Sequence, residues 1–188
     1  MPKIGLSCAC GKLQGRLDVP SPRAGNHITC HCADCRAAAI HLGQPDPGDG
    51  VALWQTTVDH LTITQGAEHL ALMQLSGKGL YRWYASCCGV PLFNSPRPPR
   101  TAFVGIMANR LSNTTALGPL IGRVHVPGEN GKSGHEGAPR IMWRILSKML
   151  AANLTGRWRK TPLFNDDGTT VTAPMILTKE ERKAATPS

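Results

Sequence analysis

The sequence predicts a mainly β protein whose distant strands are stapled by cysteine groups, with a helical extension at the C-terminus. Three observations predict it. The 188 residues include 15 prolines and 20 glycines, which favour turns and short strands over long helices. All seven cysteines precede residue 95 and stand in separated groups. A single stretch, about 140–154, keeps apolar residues at helical spacing over several turns. The length suits one domain, or one domain with an appendage. The division is expected near residue 110, with a cysteine-bearing β-domain over 1–110 and a basic extension over 111–188.

Taken in order, Lys3–Ser7 leads into Cys8-Ala9-Cys10-Gly11, a C-x-C pair with a glycine that lets the chain turn. Leu13–Val19 alternates apolar and polar residues as a half-buried strand does. Pro20–Asn26 is a turn-rich loop, and His27–Cys30 is a short strand. The alanine-rich stretch Ala33–Leu42 predicts a short helix, and Gln44–Gly50 (QPDPGDG) is a break. Val51–Thr57, Leu61–Gln65 and His69–Leu75 are β-prone runs separated by turn residues, which predicts a meander. Leu80–Tyr84 is an aromatic strand running into Cys87-Cys88-Gly89 and Pro91–Asn94, and Ala102–Met107 is a further strand.

The second half differs in character. Residues 1–94 carry seven Lys/Arg and six Asp/Glu, whereas residues 95–188 carry fourteen and six, so most of the net +9 lies there. That balance favours anionic partners without naming one. The glycine-rich loop PGENGKSGHEGAP is expected to be mobile or ordered by a partner. Arg140–Leu154 predicts a helix with Ile141, Met142, Ile145, Leu146, Met149 and Leu150 on one side. Arg140, Arg144 and Lys148 form a stripe on another. Such a helix either docks on a core with a solvated charged face or binds an anionic surface. The charged tail from Thr178 to Ser188 allows a short fraying helix.

The chemistry concentrates in Thr29–Arg36, TCHCADCR, which places Cys30, Cys32 and Cys35 in a C-x-C-x-x-C run. A strand end puts Cys30 and Cys32 on one side, and a tight turn returns Cys35 to them. Converging thiolates suit zinc. The alternatives are buried thiols acting as small hydrophobes and an iron–sulfur cluster, which prefers four thiolates. Three cysteines leave a fourth position, to be filled by another residue such as His31 or left open as a catalytic zinc leaves it. A second site could join Cys8 and Cys10 to Cys87 and Cys88 and so clamp strands far apart in sequence. Adjacent cysteines point to opposite faces of a strand, so both reach one ion only in a kinked turn. Otherwise Cys88 alone is the ligand, with Cys87 buried or spare; a vicinal disulfide is the remaining option. The first ten residues, MPKIGLSCAC, lack the apolar run of a secretory leader, and no apolar run is long enough to span a bilayer. A cytoplasmic chain with reduced thiols is expected.

In GLSCACG (Gly5–Gly11), CHCADC (Cys30–Cys35) and CCGVPLF (Cys87–Phe93), the chain resembles the glutathione-dependent formaldehyde-activating enzyme family, which includes centromere protein V. The similarity spans roughly residues 3–107. It implies folded-over β-sheets, a structural zinc, and a second zinc held by three cysteines, two per chain. Residue by residue, Cys8, Cys10 and Cys88 match the structural ligands, and Cys30, Cys32 and Cys35 the second set. The family's remaining cysteine would stand at Ala85, and Cys87 is the candidate to replace it, its role as a ligand left open. The segment after about Leu111 has no counterpart, which marks a divergent member.

A three-thiolate zinc carries a net charge of −1 and suits an incoming thiol as fourth ligand, since a coordinated thiol is deprotonated. The expected function is therefore a carbon–sulfur lyase or synthase, of the S-(hydroxymethyl)glutathione synthase kind. It would act on a glutathione-like thiol and on formaldehyde or a related aldehyde. Arg36 could hold a substrate carboxylate. His31 could move a proton or simply face water. The alternative is a non-catalytic zinc module whose basic C-terminal half binds nucleic acid or a protein. No phosphate loop, dinucleotide fingerprint or serine–histidine–acid set appears.

Overall fold

The computed structural model describes residues 3–18, 21–128 and 132–187. The strands are β1 (Lys3–Ser7), β2 (Gln14–Asp18), β3 (Asn26–Cys30), β4 (Val51–Thr57), β5 (Leu61–Gln65), β6 (Leu70–Gln74), β7 (Tyr81–Ala85), β8 (Val90–Ser95), β9 (Phe103–Met107), β10 (Gly122–Pro127), β11 (Ser133–Glu136) and β12 (Pro174–Ile176). The helices are α1 (Ala33–His41), α2 (Ala138–Leu154) and α3 (Lys179–Ala185). The protein is mainly β, as its composition predicts.

The strands form two sheets. A three-stranded sheet has the order β1-β2-β5, and a nine-stranded sheet runs β11-β10-β3-β4-β9-β8-β7-β6-β12. Pairing is antiparallel except where β10 joins β3 and β12 joins β6. Alternation explains the small sheet: Ile4 and Leu6 on β1 and Leu17 on β2 turn into the core, while their neighbours face outward. That core, between the two sheets, is filled by Trp54, Trp83, Phe93, Leu72, Leu92 and Ile106.

The strand predicted over Leu13–Val19 is realised as β2, with Val19 lying outside the described residues. The meander predicted over 51–75 is not what forms. β4 pairs with β3 and β9, β5 crosses to β2 in the small sheet, and β6 returns to pair with β7. A single 3-10 turn at Val58–His60 redirects the chain between sheets. The meander that exists is β6-β7-β8-β9.

Of the glycine-rich loop PGENGKSGHEGAP, expected to be mobile or ordered by a partner, Ser133–Glu136 form β11 and pair with β10, and residues 129–131 lie outside the described residues. Strand β10 extends the large sheet beside β3. Helix α2 starts earlier than its apolar spacing suggests, with Pro139 in its first turn, a position where the missing N–H costs nothing. It docks through Ile141, Ile145 and Ala152, and Asn26 of β3 donates to the Ile141 carbonyl at 3.1 Å. The wider apolar side predicted for docking is only half used. Met142, Leu146 and Leu150 point away from the core. The tail forms α3, whose first turn is closed by a capping box between Thr178 and Glu181; Ser188 lies outside the described residues.

Candidate metal centres

The first cysteine group sits where the small sheet meets the β7–β8 turn. Cys8 follows β1 and Cys10 lies in the turn behind it, which Gly11 closes at φ 76°. The Leu13 N–H donates to Cys8 Sγ at 3.3 Å. Cys87 and Cys88 stand in the turn between β7 and β8. There the N–H groups of Cys88 and Gly89 both donate to the Ala85 carbonyl, at 3.3 and 2.8 Å. Gly89 takes φ 64°, a left-handed conformation that favours glycine. This turn removes the strand constraint that sends adjacent side chains to opposite faces. Cys87 Sγ lies 3.7 Å from Cys8 Sγ and 3.3 Å from Cys10 Sγ, and Cys88 joins the same group. Four sulfurs therefore converge without a cysteine at position 85, where Ala85 is fully buried.

The second group is built by one strand end and one helix start. β3 ends at Cys30, Cys32 is extended at φ −66° and ψ 142°, and α1 begins at Ala33. Cys35, in the first turn of α1, then faces back toward Cys30. Cys30 Sγ lies 3.4 Å from Cys32 Sγ and 3.8 Å from Cys35 Sγ. The helix N-terminus favours negative charge at these sulfurs. So does Arg82 of β7, a buried arginine that donates to Cys35 Sγ at 3.4 Å. Without a cation the three thiols do not ionise alike. The sulfurs of Cys30 and Cys35, helped by Arg82, draw Cys32 down to about 2, while those of Cys32 and Cys35, followed by burial, push Cys30 far up.

These spacings can be compared with what a metal requires. A tetrahedral ion with metal–sulfur bonds of roughly 2.3 Å sets its sulfurs about 3.8 Å apart. Cys8 and Cys10 are 3.6 Å apart, and the separations above run from 3.3 to 3.8 Å, at or somewhat below the tetrahedral value. None of the seven cysteines is in a disulfide. Both groups can hold a metal ion, one with four sulfurs and one with three. Among the described residues no histidine or carboxylate completes the second group. His31 lies outside it. Its ring packs at Gly50, and its Nε2 is buried with no hydrogen-bond partner among the described residues.

Cys35 also lines a cavity of about 450 Å³, together with Gln44, Asp46, Pro91, Asn109 and Arg110. Arg36 does not line this cavity. It is held by Asp46, with its Nε donating to Oδ1 at 2.8 Å and its Nη2 to Oδ2. The arginine that does line the cavity is Arg110, whose Nε donates to the neighbouring Asn109 Oδ1 at 3.3 Å. Sequence reasoning missed both Arg82 and Arg110. For Arg82 a signal existed: a charge inside the aromatic run LYRWY needs a partner once the strand is buried. For Arg110 there was none, since only the fold carries it to the cavity.

A model of the family described as "Family of unknown function (DUF6151)" matches residues 1–173. No curated protein matches the chain. Among solved structures, the chain is similar to a Rhodobacter sphaeroides protein known by its crystal structure, at 19% identity and a TM-score of 0.43. The match covers 62% of this chain and 96% of that one.

Proposed function

The chain belongs to DUF6151, a family of unknown function, and from its two cysteine groups we propose a zinc-dependent protein that makes or breaks the carbon–sulfur bond between a thiol and an aldehyde. The observation that carries this is the three-sulfur group beside a cavity that Cys35 and Arg110 both line. Cys8, Cys10, Cys87 and Cys88 would hold a structural zinc; Cys30, Cys32 and Cys35 would hold the second. Zinc at the second site would bind an incoming thiol as its thiolate. Softness of the donors favours zinc over magnesium or calcium.

The chain's own residues supply the rest. Arg82 offsets the negative charge that three thiolates leave around a divalent ion. Arg110 and Asn109 can take a carboxylate of a glutathione-like thiol, a pairing that suits arginine. Pro91, Gln44 and Asp46 form walls of the cavity that Cys35 lines, where a thiol substrate would lie. The likeness of the three cysteine motifs to formaldehyde-activating enzymes supports formaldehyde, or a related aldehyde, as the acceptor. In this proposal residues 1–110 carry the metal chemistry. Residues 111–188 brace it, with β10 beside β3 and β12 beside β6. No helix among the described residues is long and apolar enough to cross a membrane.

X-ray absorption at the zinc edge tests the proposal on the purified protein. Averaged over both sites, sulfur coordination should rise when glutathione is added. Four sulfurs at the second site before any thiol is present would mark a closed structural centre and reject the reaction. Unchanged coordination with excess glutathione would reject that thiol as substrate.

A further inference from the structure

Helix α2 presents an exposed apolar stripe and a basic flank side by side. Met142, Leu146, Leu150 and Leu154 follow one another at every fourth residue, joined by Trp143, and are 55, 51, 61, 79 and 75% exposed, respectively. At 1.5 Å per residue this apolar stripe is about 18 Å long. It points away from the face that Ile141, Ile145 and Ala152 bury. Isolated exposed apolar residues need no explanation, but a contiguous stripe of five does. On the flank of the same helix stand Arg140, Arg144 and Lys148. Arg23, Arg140 and Arg144 line a cleft of about 190 Å³ beside the helix. Among the described residues none of these four cations has a carboxylate partner. Arg144 is itself held by backbone, its Nη2 donating to the Gly25 carbonyl at 2.9 Å and the Pro22 carbonyl at 3.3 Å, and burial, followed by the charges of Arg140 and Arg23, pushes it down.

We propose that α2 is a docking face for an anionic phospholipid surface, with the Met142–Leu154 stripe entering the acyl boundary and the Arg23–Arg140–Arg144 cleft taking lipid phosphates. An amphipathic helix with leucine and tryptophan on one side and basic residues beside them lies in the plane of such an interface. Each cation near an anionic surface adds to the attraction. Charge separates this occupant from a second copy of the chain. Helix α2 has no acidic residue, so self-pairing would bring two basic flanks together with nothing to neutralise them. The stripe argues against nucleic acid, because four of its five residues, three leucines and a methionine, offer a base nothing to stack on and Trp143 alone does. The proposal does not rest on the cysteine chemistry: Ile141, on the buried face of α2, shares a core cluster with Cys30 and Cys35, and the exposed stripe faces the other way.

Flotation of the full chain with vesicles tests it. Binding is expected to phosphatidylcholine vesicles containing phosphatidylglycerol and not to phosphatidylcholine alone, and should weaken as salt rises. The emission of Trp143 should shift to the blue on binding, a shift that Trp143→Phe removes. Leu146→Ser with Leu150→Ser alters exposed side chains only, so circular dichroism and metal content should hold while vesicle affinity falls roughly a hundredfold. Arg140→Ser should cost about fivefold. Absence of binding to the anionic vesicles overturns the proposal, as does binding that survives the double leucine variant. A stable dimer in solution that the same variant makes monomeric also overturns it, because the stripe would then be an interface between copies. Salt-sensitive binding to single-stranded DNA in place of vesicles would give the basic flank to nucleic acid instead.

Discussion

Arg82 Nη1 donates to Cys35 Sγ at 3.4 Å, joining β7 to the first turn of α1 across 47 residues of sequence. The arginine is only 4% exposed. Its other nitrogen lies 3.8 Å from Asp34, which is 3.6 Å from Arg182 on α3. A buried cation in a strand is costly unless something negative faces it. Here the sulfur group does, and the two are best understood as one electrostatic unit.

Arg82→Met should therefore do more harm than an ordinary core substitution. Removing one partner of a buried charge pair costs roughly 3–5 kcal/mol, and the second metal should leave with it. Arg82→Lys, which keeps the charge but loses the fork of donors, should be intermediate. Denaturant unfolding and metal content per chain measure both effects. Two metals and unchanged stability in Arg82→Met would show that the contact is incidental.

Cys87→Ser and Cys88→Ser should both empty the four-sulfur group. Each sulfur lies within the same 4.8 Å cluster, so losing either leaves three donors at a centre that ties β1 to the β7–β8 turn. Structural zinc is coupled to folding, so broad loss of cooperative thermal unfolding is expected. A Cys87→Ser protein with full metal and an unchanged melting temperature would make Cys87 a bystander.

Cys32→Ser should lower metal content by one ion per chain and leave a folded protein. The two sheets and their shared core do not run through Cys32, which stands at the N-terminal cap of α1. Circular dichroism with elemental analysis separates this result from unfolding.

Arg110→Ala should weaken glutathione binding by about tenfold, the usual scale for a hydrogen bond to a charged group. Arg36→Ala should leave it nearly unchanged, because Asp46 already occupies that guanidinium. Calorimetric titration distinguishes them, and the reverse order would return the carboxylate role to Arg36.

The Arg36 pair makes a separate prediction about pH. The hydrogen bond and charge of Arg36 lower the Asp46 carboxyl below its usual value. A depressed carboxylate contributes to stability above the ordinary aspartate range and loses that contribution as pH falls through the depressed value. In an NMR titration Asp46 should titrate below about 3.9, the unperturbed value. In Arg36→Met it should return toward it.

Much of the candidate site was legible because local spacing decides it. In C-x-C-x-x-C, a strand end and a helix start are enough to bring Cys30, Cys32 and Cys35 together, and no distant residue is needed. The same holds for β4 and β5, whose predicted and observed bounds coincide. Cys87 was ambiguous for a physical reason. Whether adjacent cysteines share a target depends on whether they lie in a strand or a turn, and the left-handed Gly89 settles that only once the turn exists.

By itself the sequence determined the mainly β class, the C-x-C-x-x-C group and the position of the long helix, since each follows from short-range periodicity or spacing. Tertiary structure alone decided that β5 leaves its neighbours for the small sheet and that β10 extends the large one beside β3. It also decided that Arg82 meets Cys35, that Arg110 rather than Arg36 lines the cavity, and that the outer half of the α2 apolar side stays uncovered. These are pairings between residues tens of positions apart. Several partners would satisfy the same strand or helix pattern, and only packing of the whole chain chooses among them.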